Sequence, residues 1–203
     1  MADAFTLRAL MGKPVTPTRL SESVLILIDA QNAYRHGSLT LSGIEPALAS
    51  CARLLARARA LGAPVIHIQH DAGPGTPFDP LSESGAFIDV VAPRPGEAVV
   101  VKHFPNAFVG TDLEARLQAL GARNLVIAGF MTHNCVNSTA RGAYNLGYRF
   151  TVPGNATATR ALPAIGVWPN AGIRASATGA VSRLPAPIAY PFQCSTLIGP
   201  SAA

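Results

Sequence analysis

Short runs of consecutive apolar residues alternate along this chain with longer segments in which apolar residues recur every three or four positions. The runs are VLILID (24–29), PVIHIQH (64–70), EAVVVKH (97–103), NLVIAG (124–129) and YRFTVP (148–153). Runs of this length, rich in β-branched residues and bounded by polar residues, glycine or proline, predict strands buried on both faces of a parallel sheet. Helical periodicity fills the intervals. PALASCARLLARARAL (46–61) predicts a helix with Pro46 at its first position and Gly62 at its stop. In TDLEARLQALG, Thr111 and Glu114 stand at capping-box spacing, Leu113, Leu117 and Leu120 share one face, and Gly121 ends the helix. Residues 133–146 predict a third helix closed by Gly147, and the Gly/Pro/Ser-rich stretch 71–85 predicts a loop.

Regular alternation of strands and helices predicts an α/β fold: three layers, doubly wound, with a mainly parallel sheet and helices on both faces. No internal repeat or clear linker divides the chain, so residues 1–203 read as one domain. Residues 1–20 form an irregular arm, and residues 163–203 form a less legible region rich in Ala, Pro, Gly and Ser. Within that region a helix is expected around 170–183 and a sixth strand near 186–190.

Composition narrows the function. Hydrophobic residues make up 49% and charged residues 13% of the 203 positions, which excludes disorder over most of the chain. No apolar stretch reaches the roughly 20 residues of a membrane span, so no membrane association is expected. The N-terminus lacks a basic segment followed by an apolar one, which leads to a cytoplasmic expectation. The net charge is +5, but it comes from scattered arginines without a basic run or interleaved aromatics, so no nucleic-acid partner is expected. Cys51, Cys135 and Cys194 are far apart and form no C-x-x-C pair, which argues against a zinc site or a disulfide framework.

In parallel α/β sheets ligands bind at the carboxyl ends of the strands. Three chemically competent residues fall there: Asp29 ends the first strand, Lys102 ends the third, and Cys135 follows the fourth at the start of a helix. Each alone has a bland reading, as a capping carboxylate, a snorkelling lysine and a small buried thiol. Together they make a nucleophilic site. A free thiol ionises near pH 8.5; a helix N-terminus and an ammonium are expected to lower that value, while the carboxylate accepts the proton. His133 is the rival base, ranked below Asp29 because its position two residues before Cys135 tends to aim the two side chains apart.

The segments VLILIDAQNAY, VVVKHFPNAFVGTDLEARLQALGARNLVIAG and FMTHNCVNSTARGAYNLGY, in this order, resemble the isochorismatase-like cysteine hydrolases, which include nicotinamidases and N-carbamoylsarcosine amidohydrolase. The resemblance runs from about residue 20 to about residue 162. It implies a six-stranded parallel sheet, a catalytic Asp29, Lys102 and Cys135, and a cis peptide between Phe130 and Met131. It also implies oxyanion donation by the backbone N–H groups of Met131 and Cys135. Gln31, Tyr34, Phe104, Asn106, Phe108 and Thr132 become candidates for the substrate pocket, although Gln31 and Tyr34 could instead serve the loop, the two Phe residues the core, and Thr132 a turn or N-cap.

The departures are informative. Metal-binding nicotinamidases carry Asp-x-His and a further His after the second strand, where this chain offers His70 and Asp71, so no metal or cofactor is expected. Isochorismatases that cleave a vinyl ether lack the cysteine, so Cys135 points to hydrolysis of a small molecule's C–N bond through a thioester. Asn155-Ala156 stands where the family often has Asp-Ala. Relatives commonly assemble, which implies a homo-oligomer. The competing readings are a non-catalytic binding or assembly subunit and an isochorismatase-type ether hydrolase.

Overall fold

A computed structural model of the chain describes residues 10–12 and 16–160. The helix expected at 170–183, the strand expected at 186–190 and Cys194 lie outside them. The strands are β1 (Val24–Ile28), β2 (Val65–His70), β3 (Ala98–Lys102), β4 (Asn124–Phe130), β5 (Arg149–Thr151) and β6 (Thr157–Ala158). The helices are α1 (Ile44–Ala60), α2 (Leu113–Ala119) and α3 (Asn137–Asn145). The sheet runs β3-β2-β1-β4-β5, with β6 beside the far end of β4, and all pairings between these strands are parallel.

Alternation along each strand sends side chains to two cores. Leu25, Leu27, Val126, Ala128 and Phe130 pack against Leu48, Cys51 and Leu55 of α1. Val24, Ile26, Ile28, Ile66, Ile68 and Val100 pack against Leu113 and Leu117 of α2 and Ala140 and Ala143 of α3. Because both faces are covered, all five residues of β1 are buried, which is why its sequence reads as an unbroken apolar run.

Several local expectations are corrected. A two-residue strand, β6, follows β5 where none was expected, and its residues carry no periodic signal of their own. Helix α1 begins at Ile44, so Pro46 sits at the third position of its first turn, where no intrahelical N–H is required. Thr111 does not form a capping box. Its hydroxyl donates to Ala107 O at 2.6 Å and accepts from Leu113 N at 3.3 Å, while Glu114 accepts from Tyr148 Oη and Gln118 Nε2. The helix after β4 starts with a π-helical turn over Thr132–Val136 before α3 proper.

The strand order reverses around β1: the chain moves from β1 to β2 and β3 on one side, then crosses to β4 on the other. Carboxyl ends diverge at such a switch point and leave a crevice. Asp29 and the Met131–Val136 turn follow the two strands that flank it. Gly129 makes their close approach possible, because a Cβ there would lie 2.0 Å from Ile28 O and its φ is +110°.

Candidate active site

Asp29 leaves β1 with φ 47°, the one positive-φ non-glycine position among the described residues. Left-handed backbone costs a residue with a Cβ roughly 1–2 kcal/mol, least for Asp and Asn. The conformation takes the carboxylate out of strand alternation. It is held by Asp29 N donating to Ile68 O (3.0 Å) and by Gln31 N donating to Asp29 O (2.8 Å). Lys102, the last residue of β3, projects on the same side as Val100, and its ammonium meets Asp29 Oδ2 at 2.8 Å and Cys135 Sγ at 3.4 Å. Both charged side chains have no solvent exposure. Cys135 is 4% exposed and sits in the π-helical turn, a geometry frequent at functional sites. The Phe130–Met131 peptide preceding the turn is cis, and the N–H groups of Asn134 and Val136 both donate to Met131 O. Strand ends and one turn therefore bring Asp29, Lys102 and Cys135 together.

The electrostatics revise one expectation. The thiol of Cys135 is pushed up to about 12, first by burial and then by the Asp29 charge; Lys102 opposes both without overcoming them. Burial also raises Asp29, again against Lys102. Cys135 at rest is a thiol and not a standing thiolate, because desolvation outweighs the ammonium. The site can still make the sulfur anion by internal transfer. With the proton on sulfur the trio holds one carboxylate and one ammonium; with the proton on Asp29 it holds one thiolate and one ammonium. The net charge is zero in both forms, so the buried site avoids the large cost of creating an isolated charge. Although Lys102 lies close to Asp29, neither carboxylate oxygen receives a well-aligned hydrogen bond from the described residues, which leaves it open to accept that proton.

The other candidates divide. Tyr34 is buried beneath Phe78 and Phe130 (ring centroids 5.2 and 6.0 Å away), and burial first, then the nearby Asp29 and Cys135, push its phenol up. Gln31 serves the loop. Its Nε2 donates to His70 O (2.9 Å) and Gly85 O (2.8 Å), and its Oε1 accepts from His70 N (2.8 Å). Phe108 stacks on Tyr148 at 6.3 Å and joins the core under α3. The side chain of Asn106 accepts from Phe108 N and packs against Gly142. Those contacts commit both residues to the loop's support. Phe104 is 54% exposed. Thr132 is half-buried in the turn. The His133 ring is hydrogen-bonded to Thr159 Oγ1, which directs it to the segment after β6.

His70 is the neighbour that sequence reasoning left out of the trio. Its Nδ1 lies 3.1 Å from Lys102 Nζ. The signal was available in the register, because His70 pairs directly with Lys102 across β2 and β3. A cleft of about 540 Å³ lined by Arg59, Gly62, Pro64, Glu97 and Arg116 lies at the amino ends of β2 and β3, away from these residues.

The comparisons agree with this architecture. Residues 23–164 match the isochorismatase domain family, and the chain belongs to that family. It is similar to a secreted isochorismatase effector of Verticillium dahliae, at 35% identity over 78% of this chain and 84% of that protein. It is also similar to a ureidoacrylate amidohydrolase of Stutzerimonas stutzeri, at 34% identity over 68% of this chain and 71% of that protein. The crystal structure of an isochorismatase from Pseudomonas putida superposes with a TM-score of 0.76 at 45% identity, covering 78% of this chain and 82% of that one.

Proposed function

We propose that this protein is a cysteine hydrolase that cleaves a C–N bond of a small amide-type substrate through a thioester on Cys135. The observation that carries the reading is the buried ammonium of Lys102, 2.8 Å from the carboxylate of Asp29 and 3.4 Å from Cys135 Sγ. The relative that acts as an amidohydrolase supports the choice of bond. Asp29 takes the thiol proton as Sγ attacks the acyl carbon. The tetrahedral oxyanion is received by the backbone N–H groups of Met131 and Cys135. Collapse breaks the C–N bond, and the amine leaves with the proton held on Asp29. Water then attacks the thioester, giving one proton to Asp29, and the returning thiol takes it up; the products are a carboxylic acid and an amine. Lys102 lies beside both Asp29 and Cys135 and compensates whichever of them is the anion.

The test is a screen of small amides and ureido compounds, followed by acid quench and intact-mass measurement during turnover of the best substrate. An adduct of acyl mass on Cys135 and loss of turnover in Cys135→Ala are expected. Undiminished turnover in Cys135→Ala would overturn the reading.

A further inference from the structure

We propose that His70 is a positioning residue for Lys102, a neutral imidazole whose Nδ1 fixes the ammonium so that one of its protons faces Cys135. The proposal deepens the reading of Cys135 as the nucleophile and rests on it. A lysine ammonium carries three protons and no acceptor. Three acceptors surround this one: Asp29 Oδ2 at 2.8 Å, His70 Nδ1 at 3.1 Å and Cys135 Sγ at 3.4 Å. The ammonium is hydrogen-bonded to His70 Nδ1 and Cys135 Sγ and ion-paired with Asp29, and the two directed bonds together fix its rotation about the terminal C–N bond. Without His70 one buried proton would be unpaired, and the ammonium would turn toward Asp29, its strongest partner.

His70 is itself held from three directions. Gln31 bonds both its backbone N–H and its carbonyl, the Phe78 ring packs against its ring in a T-shaped pair with centroids 5.2 Å apart, and its strand register places it opposite Lys102. The charged groups facing it are Lys102 on β3 and His103 and Asp71 in the adjoining loops. Burial, Lys102 and His103 push it down to about 4 against the pull of Asp71. The ring is therefore uncharged near neutrality. Because an ammonium can only donate, Nδ1 is the acceptor and the ring proton resides on Nε2.

Two measurements test this. The first is the pH dependence of Cys135 alkylation by iodoacetamide, read by mass spectrometry in the wild-type chain, His70→Leu and His70→Asn. This readout requires no substrate. His70→Leu should slow alkylation about tenfold at a given pH, equivalent to a rise of about one pK unit in the thiol. His70→Asn, whose amide oxygen can occupy the place of Nδ1, should recover most of the loss. A purely structural role would lower the melting temperature and leave the pH profile where it was. An unshifted profile in folded His70→Leu, or no recovery in His70→Asn, would overturn the proposal. The second measurement needs no variant: nitrogen chemical shifts of ¹⁵N-histidine-labelled protein should show His70 as the Nε2–H tautomer at neutral pH, and the Nδ1–H tautomer would overturn it. Should His70→Leu shift alkylation while Cys135→Ala retains full hydrolysis, the role of His70 toward Lys102 stands and the reading of Cys135 as the nucleophile falls.

Discussion

Lys102 Nζ rests 2.8 Å from Asp29 Oδ2 with both side chains closed off from solvent, so each charge depends on the other. Removing one partner of such a pair costs about 3–5 kcal/mol, because the survivor is left buried and uncompensated. Lys102→Met should lose that much at neutral pH, read by urea denaturation. Asp29 can escape the penalty by taking a proton. Its already raised pKa would climb further in the variant, so the cost should shrink as pH falls toward the unfolded carboxylate value near 4. A cost independent of pH would show that Asp29 is not ionised in the parent protein.

Asp29→Asn separates thiol ionisation from catalysis. The carboxylate is the second largest influence raising Cys135, after burial. Its neutralisation should move the pH profile of Cys135 alkylation downward while cutting turnover on an established substrate by 10²–10⁴, the usual contribution of a general base. A variant that kept its turnover would remove Asp29 from the proton path.

Glu97 governs stability at the other end of the sheet. It receives Arg59 Nε and Nη2 at 2.7 and 2.8 Å, His67 Nε2 lies 2.9 Å away, and Arg94 N donates to it at 2.8 Å. These contacts, Arg59 first, lower its pKa from 4.5 to about 2. A depressed carboxylate contributes stability that is complete above its unfolded value and is lost as pH drops through the folded one. Glu97→Gln should therefore cost on the order of 2–3 kcal/mol near pH 7, and the difference from the parent should fade between pH 4.5 and about 2. Denaturation midpoints across that window check it.

Gly129→Ala should be far more damaging than Gly62→Ala, although both glycines have positive φ. A methyl at 129 would meet backbone at 2.0 Å, whereas nothing lies within 4 Å of the same position at 62. About 1 kcal/mol is expected at 62 from conformation alone, and several times that at 129. Thermal unfolding of the two variants decides it.

The sequence made the sheet and much of the site legible. Continuous apolar runs mark the strands, wholly buried in β1 but not at the β3 edge, where Val101 is exposed, and parallel strands bring their carboxyl-terminal residues to one edge, which is why Asp29, Lys102 and Cys135 can be grouped. Other features had no local signature. The departure of Asp29 from strand alternation is a backbone event, and the π-helical turn before α3 has the same residue pattern as an α-helix. Gln31 reads as a pocket residue until its two bonds to the backbone of His70 are seen. The raised thiol of Cys135 has no local signature either, because helix and ammonium effects follow from neighbours in sequence, whereas desolvation depends on every element packed around it. Strand pairing would have exposed His70, since an in-register β2–β3 ladder puts it opposite Lys102.

The protonated resting state of Cys135 also bears on durability. Peroxides and disulfides react with sulfur anions far faster than with thiols. A buried sulfur held as a thiol is in the form least prone to sulfenic acid formation. On the proposed mechanism, in which the sulfur turns anionic only during turnover, that shielding would keep it from being worn out between encounters with substrate.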